Sequence, residues 1–159
     1  MAEFNKNPKV AIVIGSVSDR ETMAECKRYL EYFGIEYEER ILSAHRTPEE
    51  TSQFAKDAEN LGFNLLIAAA GMAAHLPGVL AAHTTLPVIG VPLANSDLRG
   101  LDALYSIVQM PAGVPVATVA IGQAGAVNAA VLAAEILASQ YRDVKQKLVQ
   151  FKKQGSRIE

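Results

Sequence analysis

The sequence predicts an α/β fold in which a five-stranded parallel sheet is the middle layer of a three-layer sandwich. Short apolar runs rich in β-branched residues alternate along the chain with longer segments of helical periodicity, which is the pattern of repeated βαβ units. Most of the runs lack polar alternation, as strands buried on both faces do. The 159 residues suffice for one domain with its own core, so we expect a single domain over residues 1–159.

Five runs are predicted as strands, joined by right-handed crossovers in a flavodoxin-like arrangement. The first, KVAIVIG, begins at Lys9 and is closed by a glycine. The second, IEYEERIL, begins at Ile35 and is more polar, which favours a place near the edge of the sheet. The other three runs are FNLLIAAAG from Phe63, LPVIGVPL from Leu86 and VPVATVAI from Val114.

Two helix starts have the signature of a capping box. Ser18 is followed three residues later by a glutamate, so the first helix is predicted to begin at Ser18 and to stop at Gly34. Thr47 and Glu50 have the same spacing, with a proline between them at the first helical position. This second helix is predicted to run to Leu61.

The C-terminal part of the chain predicts two further helices. AGAVNAAVLAAEILA, from Ala124, is apolar nearly all round, which suits burial on two sides. Residues 140–155 form a charged helical extension with one narrow apolar stripe, which could pack on its own domain or contact another subunit. Together these helices favour a homo-oligomer. The stripe consists of Tyr141, Val144, Leu148 and Phe151.

Composition excludes several classes of function. The net charge is −2 and no basic tract is present, so nucleic acid is not an expected partner. The single Cys26 cannot form an internal disulfide, and no Cys/His spacing indicates a metal site. The N-terminus lacks the apolar core of a signal peptide, and no apolar run has the length of a membrane span. We therefore expect a soluble cytoplasmic protein.

Ligands of open parallel sheets bind beyond the carboxyl ends of the strands, so the loops there are the candidate site. After the first strand, Ser16 and Ser18 offer hydroxyls beside a helix N-terminus, and Asp19 could accept hydrogen bonds from a sugar. The alternative is that Ser18 and Asp19 are ordinary helix-start residues. The loop contains neither a P-loop nor a dinucleotide fingerprint.

The loop after the second strand, SAHRTP, places His45 next to Arg46. An imidazole can take and give a proton at physiological pH, and a guanidinium can bind a phosphate with two parallel hydrogen bonds. The alternative is a solvated loop histidine beside a surface arginine. The position of the pair, directly before a helix start at the ligand-binding edge, favours a functional role.

The loop after the third strand, AAAGMAAHLPG at residues 68–78, consists mostly of small residues. Small side chains let a planar ligand approach the backbone, and successive N–H groups could hold an anion, although tight helix–sheet packing also needs such residues. His75 could lie in the site or in the core, and His83 is expected outside the site. The three loops together indicate a phosphorylated small molecule with a planar part, and one histidine for proton transfer.

Four motifs in the same order resemble the PurE family, over roughly residues 9 to 140. They are GSVSD at 15–19, SAHRTP at 43–48, AAHLPG at 73–78 and LYSIVQMP at 104–111. AAHLPG and SIVQMP are similar to the class I branch. The resemblance implies a cytoplasmic homo-octamer, without metal or organic cofactor, that moves a carboxylate from the exocyclic amine of aminoimidazole ribonucleotide to the neighbouring ring carbon in purine synthesis.

The same resemblance assigns roles to individual residues. It implies that His45 is the catalytic proton carrier. The positions that it implies for substrate binding are Ser16, Ser18, Asp19, Ser43, Ala44 and Arg46 for the sugar phosphate, and Ala70, Gly71, Ala73, Ala74, His75 and Leu76 around the migrating carboxylate.

The chain departs from the family pattern in three places. Ala69 and Met72 stand where glycines are usual, and Arg20 stands where a tryptophan is common. The segment ANSDLRG, from Ala94, replaces a sequence of the QSKALSG type. If Met72 points into the pocket, the carboxylate site is altered.

Two other functions compete with this transfer of a carboxylate within one substrate, which is a mutase reaction. One is a class II-like carboxylase that uses aminoimidazole ribonucleotide and free carbon dioxide, against which AAHLPG argues. The other is a non-catalytic flavin- or nucleotide-binding module, which would leave the proximity of His45 and Arg46 unexplained. A phospho-acceptor receiver domain is excluded, because the third strand ends in alanines where such a domain needs an aspartate.

Overall fold

The computed structural model describes residues 7–158 and contains one five-stranded parallel sheet with strand order β2-β1-β3-β4-β5. This order and the crossovers confirm the predicted flavodoxin-like fold class. The strands are β1 (Lys9–Ile14), β2 (Glu36–Ile41), β3 (Leu65–Gly71), β4 (Val88–Leu93) and β5 (Ala117–Thr118).

Helices cover both faces of the sheet, so the molecule has three layers. On one face α1 and α5 pack against the sheet and α6 packs on these two helices, and on the other face lie α2, α3 and α4. The helices are α1 (Arg20–Phe33), α2 (Pro48–Asp57), α3 (Leu76–His83), α4 (Leu101–Val108), α5 (Gln123–Leu137) and α6 (Arg142–Lys153).

The inner strand β1 shows why the buried strands have apolar residues at every position. Ile12 and Ile14 face the layer of α1 and α5, while Ala11 and Val13 face the opposite layer, and all four are fully buried. Successive side chains of a strand point to opposite faces, so a strand between two helical layers has no solvent-facing side. The polar strand β2 pairs only with β1 and forms an edge of the sheet, as predicted.

The fifth strand is much shorter than the sequence predicts. Only Ala117 and Thr118 pair regularly with β4, although Val119 still donates its N–H to the carbonyl oxygen of Gly90 at 3.1 Å. Pro115, within the predicted run, has no N–H to donate to a neighbouring strand. An edge strand that begins with such a residue pairs over a shorter length.

The predicted start of α1 is wrong by two residues. The capping box is formed by Ser16 and Asp19, because the Ser16 hydroxyl accepts from the Ser18 N–H at 3.4 Å and Asp19 Oδ2 accepts from the Ser16 N–H at 3.1 Å. Ser18 therefore lies inside a short 3-10 turn, and α1 begins at Arg20. The helix ends as predicted at Gly34, whose φ of 71° is left-handed.

The second predicted capping box does not form. The helix α2 begins at Pro48 after Thr47, as expected, but the Thr47 side chain makes no capping hydrogen bond, and the predicted partnership with Glu50 is wrong. Thr47 Oγ1 instead accepts from the Ser43 N–H at 3.0 Å. The helix also ends earlier than predicted, at Asp57.

The apolar stripe of α6 packs on its own domain. Val144, Leu148 and Phe151 are buried, and the Phe151 ring lies against the rings of Phe33 and Tyr29 with centroids 5.2 and 6.0 Å apart. Of the two alternatives for the stripe, the first therefore holds. Contact of the rest of this helix with another subunit stays a prediction.

Two structural features are absent from residues 7–158. No helix in this part of the chain has the length and apolar character needed to cross a membrane. The same residues contain no group of three or more His, Cys, Asp or Glu side chains placed to hold a metal ion. Cys26 is buried in the core, and burial raises the pKa of its thiol to about 12, which leaves it unreactive.

Candidate active site

A cavity of about 410 Å³ lies at the carboxyl ends of the central strands and brings all three predicted loops together. Its wall therefore combines hydroxyls, a carboxyl, a guanidinium, two imidazoles and a stretch of small residues. The lining residues are Gly15, Ser16, Asp19, Ser43, Ala44, His45, Arg46, Ala70, Gly71, Met72, Ala73, His75, Leu76 and Asn95.

Two predicted site residues do not line this cavity. Ser18 lines an adjoining cavity of about 340 Å³ that shares Asp19 and Asn95 with the first. Ala74, within the third loop, is buried and does not face the cavity. Conversely, Met72 and Asn95 line the site without having been assigned a binding role, although both lie in segments that depart from the family pattern.

The first loop holds Asp19 in a fixed orientation at the floor of the site. Its side chain is only 5% exposed, and burial raises the pKa of its carboxyl above the usual value, while hydrogen bonds from Ser16, Ser18 and Asn95 act in the opposite direction. The Ser18 hydroxyl also donates to the Ser16 hydroxyl at 3.0 Å. A buried carboxyl with this pattern of donors is suited to accept hydrogen bonds from a ligand that enters the cavity.

The second loop is braced from below by a buried threonine. Thr51 is fully buried, and its hydroxyl lies 2.8 Å from the Thr47 carbonyl oxygen and 3.2 Å from that of Ser43. Above it, the Arg46 N–H donates to the Ser43 hydroxyl at 3.1 Å. The segment that carries His45 and Arg46 is therefore wound into a turn whose hydrogen bonds are made inside the loop.

The third loop places His75 in direct contact with His45. His45 Nε2 and His75 Nδ1 are 2.6 Å apart, and the two rings meet edge to face at 84°. At that distance one nitrogen donates and the other accepts, so a single proton lies between the rings. Of the two locations considered for His75, the site and the core, the structure shows the first. His83, at the exposed end of α3, does not line the cavity.

The same loop corrects the expectation that its successive N–H groups hold an anion. The Ala74 N–H donates to the Met72 carbonyl at 2.9 Å, and the His75 N–H donates to the Ala73 carbonyl at 2.8 Å. These two donors are used inside the loop. Met72 has a left-handed φ of 55°, which costs a residue with a side chain roughly 1–2 kcal/mol, and its side chain is 62% exposed at the mouth of the site.

Arg20 turns away from the cavity. Its Nε lies 2.6 Å from Glu39 Oε1, and Lys27 binds the other carboxylate oxygen of the same residue. Burial raises the pKa of the Glu39 carboxyl, but the two cations outweigh it and the pKa lies below the usual value. The replacement of the common tryptophan by Arg20 therefore adds an ion-pair cluster between α1 and β2 and does not change the wall of the site.

Fold and site together define an α/β protein that combines groups able to bind a phosphorylated ligand with two imidazoles able to move a proton. Residues 9–157 match the family described as AIR carboxylase, and the chain belongs to that family. This membership confirms the predicted PurE family.

Individual relatives cover nearly the whole chain. The N5-carboxyaminoimidazole ribonucleotide mutase of Saccharolobus solfataricus is 57% identical over 91% of this chain and 90% of its own. The enzyme of the same name from Escherichia coli K12 is 49% identical over 96% of this chain and 90% of its own. The crystal structure of Treponema denticola PurE superimposes with a TM-score of 0.85 at 31% identity, covering 94% of this chain and 92% of that one.

The buried hydroxyl of Thr51 yields a prediction about the rigidity of the second loop. Thr51→Val keeps the shape of the side chain but removes the donor to two partly buried carbonyls, so we expect a loss of about 1–2 kcal/mol in the free energy of unfolding. Hydrogen exchange of the Ser43 and Arg46 amides should become about tenfold faster than in the native protein. Urea unfolding and exchange monitored by NMR measure the two effects.

The matched control for this prediction is Thr51→Ser, which retains the hydroxyl and loses one methyl group. It should leave the exchange of the Ser43 and Arg46 amides close to that of the native protein. Native exchange rates in the valine variant would show that the hydroxyl does not hold the loop.

Proposed function

We propose that this protein is a mutase that converts N5-carboxyaminoimidazole ribonucleotide into 4-carboxy-5-aminoimidazole ribonucleotide in de novo purine biosynthesis. The names of relatives at 49–57% identity support this reaction. The observation that carries the proposal is the His45–His75 contact, which opens into the same cavity as Arg46 and Asp19. We propose, from the composition, that the enzyme works in the cytoplasm and, from the resemblance, that it needs no metal or organic cofactor.

The reaction requires one group that gives and takes a single proton. When the bond between the exocyclic nitrogen and the carboxylate carbon breaks, its electron pair stays on nitrogen, which gains a proton. The ring carbon then bonds to the released carbon dioxide and loses its own proton, so protons balance over the cycle. We assign this proton to His45, because its ring faces the cavity and its Nε2 shares a proton with His75.

The apolar part of the wall suits the intermediate. Carbon dioxide is small and apolar and is lost easily to solvent, so it needs a pocket from which water is excluded. Ala70 and Leu76 line the cavity and are otherwise buried, and Gly71 and Ala73 leave room for a small guest. We assign these four residues to the migrating carboxyl group.

The polar part of the wall suits the sugar phosphate. Within residues 7–158 no carboxylate lies within ion-pair distance of the Arg46 guanidinium, which is exposed at the cavity. We assign Arg46, with the hydroxyls of Ser16, Ser18 and Ser43, to the phosphate, and Asp19 to the sugar. Binding groups remote from the reacting atoms supply positioning energy, which lets one base suffice at the ring carbon.

A homo-oligomer, expected from the resemblance to be an octamer, would complete this site. His45 and His75 are both exposed in the single chain, whereas the chemistry requires that water be excluded. Next to the carboxyl edge of the sheet, α4 and the turn before it expose four large apolar side chains on one side. They are Leu98, Leu101, Tyr105 and Val108. We propose that a second copy of the chain covers this surface.

The role of His45 predicts the outcome of a metal-free assay. Native protein given 4-carboxy-5-aminoimidazole ribonucleotide should run backwards and consume it, which ultraviolet absorbance follows. His45→Asn should lower the rate at least about 100-fold, because the proton carrier is lost, while substrate binding stays largely intact. His83→Asn removes an imidazole outside the cavity and should retain the native rate.

Turnover near the native rate in His45→Asn would refute the proton-transfer role. The same assay started from the N-carboxylated substrate separates the two reactions that the family contains. A mutase forms product from this compound alone, whereas a carboxylase needs aminoimidazole ribonucleotide and free carbon dioxide.

The role of Arg46 predicts a loss of affinity. Arg46→Ala should weaken the binding of aminoimidazole ribonucleotide by about 1.5–3 kcal/mol, because a charged hydrogen bond to phosphate is lost. Isothermal titration calorimetry measures the dissociation constant. The control is Arg157→Ala, a charge change near the C-terminus and outside the cavity, which should leave the dissociation constant unchanged. An unchanged dissociation constant in Arg46→Ala would show that Arg46 does not bind the phosphate.

The proposed subunit contact predicts a change of mass in solution. Tyr105→Glu places a charge in the exposed apolar surface of α4, and burying that charge in an interface is unfavourable. In sedimentation velocity experiments the native protein should form an oligomer. The variant should dissociate already at protein concentrations at which the native oligomer is intact. Lys56→Glu, on the exposed side of α2, is the control, and equal behaviour of the two variants would contradict this interface.

A further inference from the structure

Asn95 lies at the boundary of the two cavities at the carboxyl edge of the sheet. It follows β4 after one intervening residue, and its side chain lines both the main cavity and the adjoining one. No other residue except Asp19 lines both. The two residues therefore form the partition between these spaces.

The Asn95 amide holds one oxygen of the Asp19 carboxylate. Asn95 Nδ2 donates to Asp19 Oδ1 at 3.3 Å, while the other oxygen, Oδ2, accepts from the Ser16 N–H at 3.1 Å. The carboxylate is thus held from two directions, by the loop after β1 and by the loop after β4. An ionised carboxylate only accepts hydrogen bonds, so the amide NH₂ group must face it.

The amide oxygen of Asn95 lies against the last residue of β3. A Cβ atom on Gly71 would lie 1.6 Å from Asn95 Oδ1, so the side chain occupies the space that any larger residue at position 71 would need. Asn95 therefore contacts both a residue of the first loop and the residue where the third loop begins. Its position is fixed on both sides, although its outer part is exposed to the cavities.

We propose that Asn95 is a positioning residue that orients the Asp19 carboxylate toward the sugar of the substrate, an inference that rests on the proposed function. Asn95, Ser16 and Ser18 use three of the lone pairs of the Asp19 carboxylate, and the fourth is free to accept from a sugar hydroxyl. Loss of the amide lets the carboxylate rotate. It also removes one of the hydrogen bonds that oppose the rise of the Asp19 pKa caused by burial.

The variants for the test change the amide and little else. Asn95→Asp keeps the shape and sets a second carboxylate beside Asp19, and Asn95→Ala removes the amide. Because Asn95 is exposed, neither change removes a core contact. Ser96→Ala is the matched control, since Ser96 follows Asn95 in the same loop and lines neither cavity. The Ser96 hydroxyl donates to Asp102 Oδ1 at 2.9 Å.

The first measurement needs no substrate. A ¹³C NMR titration of the carboxyl of Asp19 in the ligand-free protein reports its ionisation directly. The other titratable or charged groups that line the two cavities are Glu21, His45, Arg46 and His75, and every variant retains them.

In Asn95→Asp the two carboxyls titrate as a pair, and the upper midpoint should lie on the order of one pH unit or more above that of the native protein. Asn95→Ala should shift the Asp19 midpoint upward by less, and Ser96→Ala should not shift it. An unshifted midpoint in Asn95→Asp overturns the proposal.

The second measurement separates positioning of the sugar from general damage to the enzyme. The sugar is remote from the reacting carbon, so both Asn95 variants should raise KM about tenfold and leave kcat within about twofold of the native value. Ser96→Ala should have native constants. An unchanged KM, or a fall in kcat as large as the fall in kcat/KM, overturns the proposal.

The two measurements distinguish failure of this inference from failure of the proposed function. Native protein that does not turn over the ribonucleotide refutes the proposed function and, with it, the sugar as the target of Asp19, while a shifted titration still establishes the Asn95–Asp19 contact. Active native protein with an unshifted titration overturns the role of Asn95 alone.

Discussion

The parallel pairing of β1 with β2 and β3 is the constraint on which the site depends. In this register Ile14 is level with Ile41 on one side and with Ala69 on the other, so three successive loops leave the sheet at nearly the same height. His45 and His75 are thirty positions apart in the chain and meet at 2.6 Å only because of that register. A slip of one residue would reverse the faces of a whole strand, so the apolar residues that fill the core also place the two imidazoles.

The first two loops are held by hydrogen bonds from polar side chains and the third by hydrogen bonds of its own backbone, which makes the site stiff at some cost in stability. Ser16 and Asp19 close the first loop, and Thr51 braces the second from a fully buried position. Burial of the Asp19 carboxyl opposes its ionisation, and Met72 holds a left-handed backbone at the mouth. These two unfavourable features persist because the surrounding structure holds the residues in place, and both residues line the same cavity.

The sequence was sufficient for the fold and for most of the site, because each rests on a local signal. Short runs that alternate with helical segments predicted the strands, and the rule that ligands bind at strand ends led to His45. Local signals failed where two interpretations competed: Ser16 and Ser18 each have an acidic residue three positions later, and only the first pair forms the capping box. Asn95 could not be predicted, since its partner Asp19 is 76 positions away and the connection exists only in three dimensions.

The three departures from the family pattern differ in their relation to the chemistry. Arg20 is bound by Glu39 outside the cavity, so the loss of the common tryptophan leaves the wall unaltered. Met72 is exposed at the mouth, where its flexible side chain can contact whatever covers the entrance. Asn95 reaches the carboxylate assigned to the sugar. Variation in this chain therefore falls on the entrance, on the loop of Asn95 and on the buried strand residue Ala69, whereas the two histidines and the small residues Ala70, Gly71 and Ala73 keep the pattern of the family.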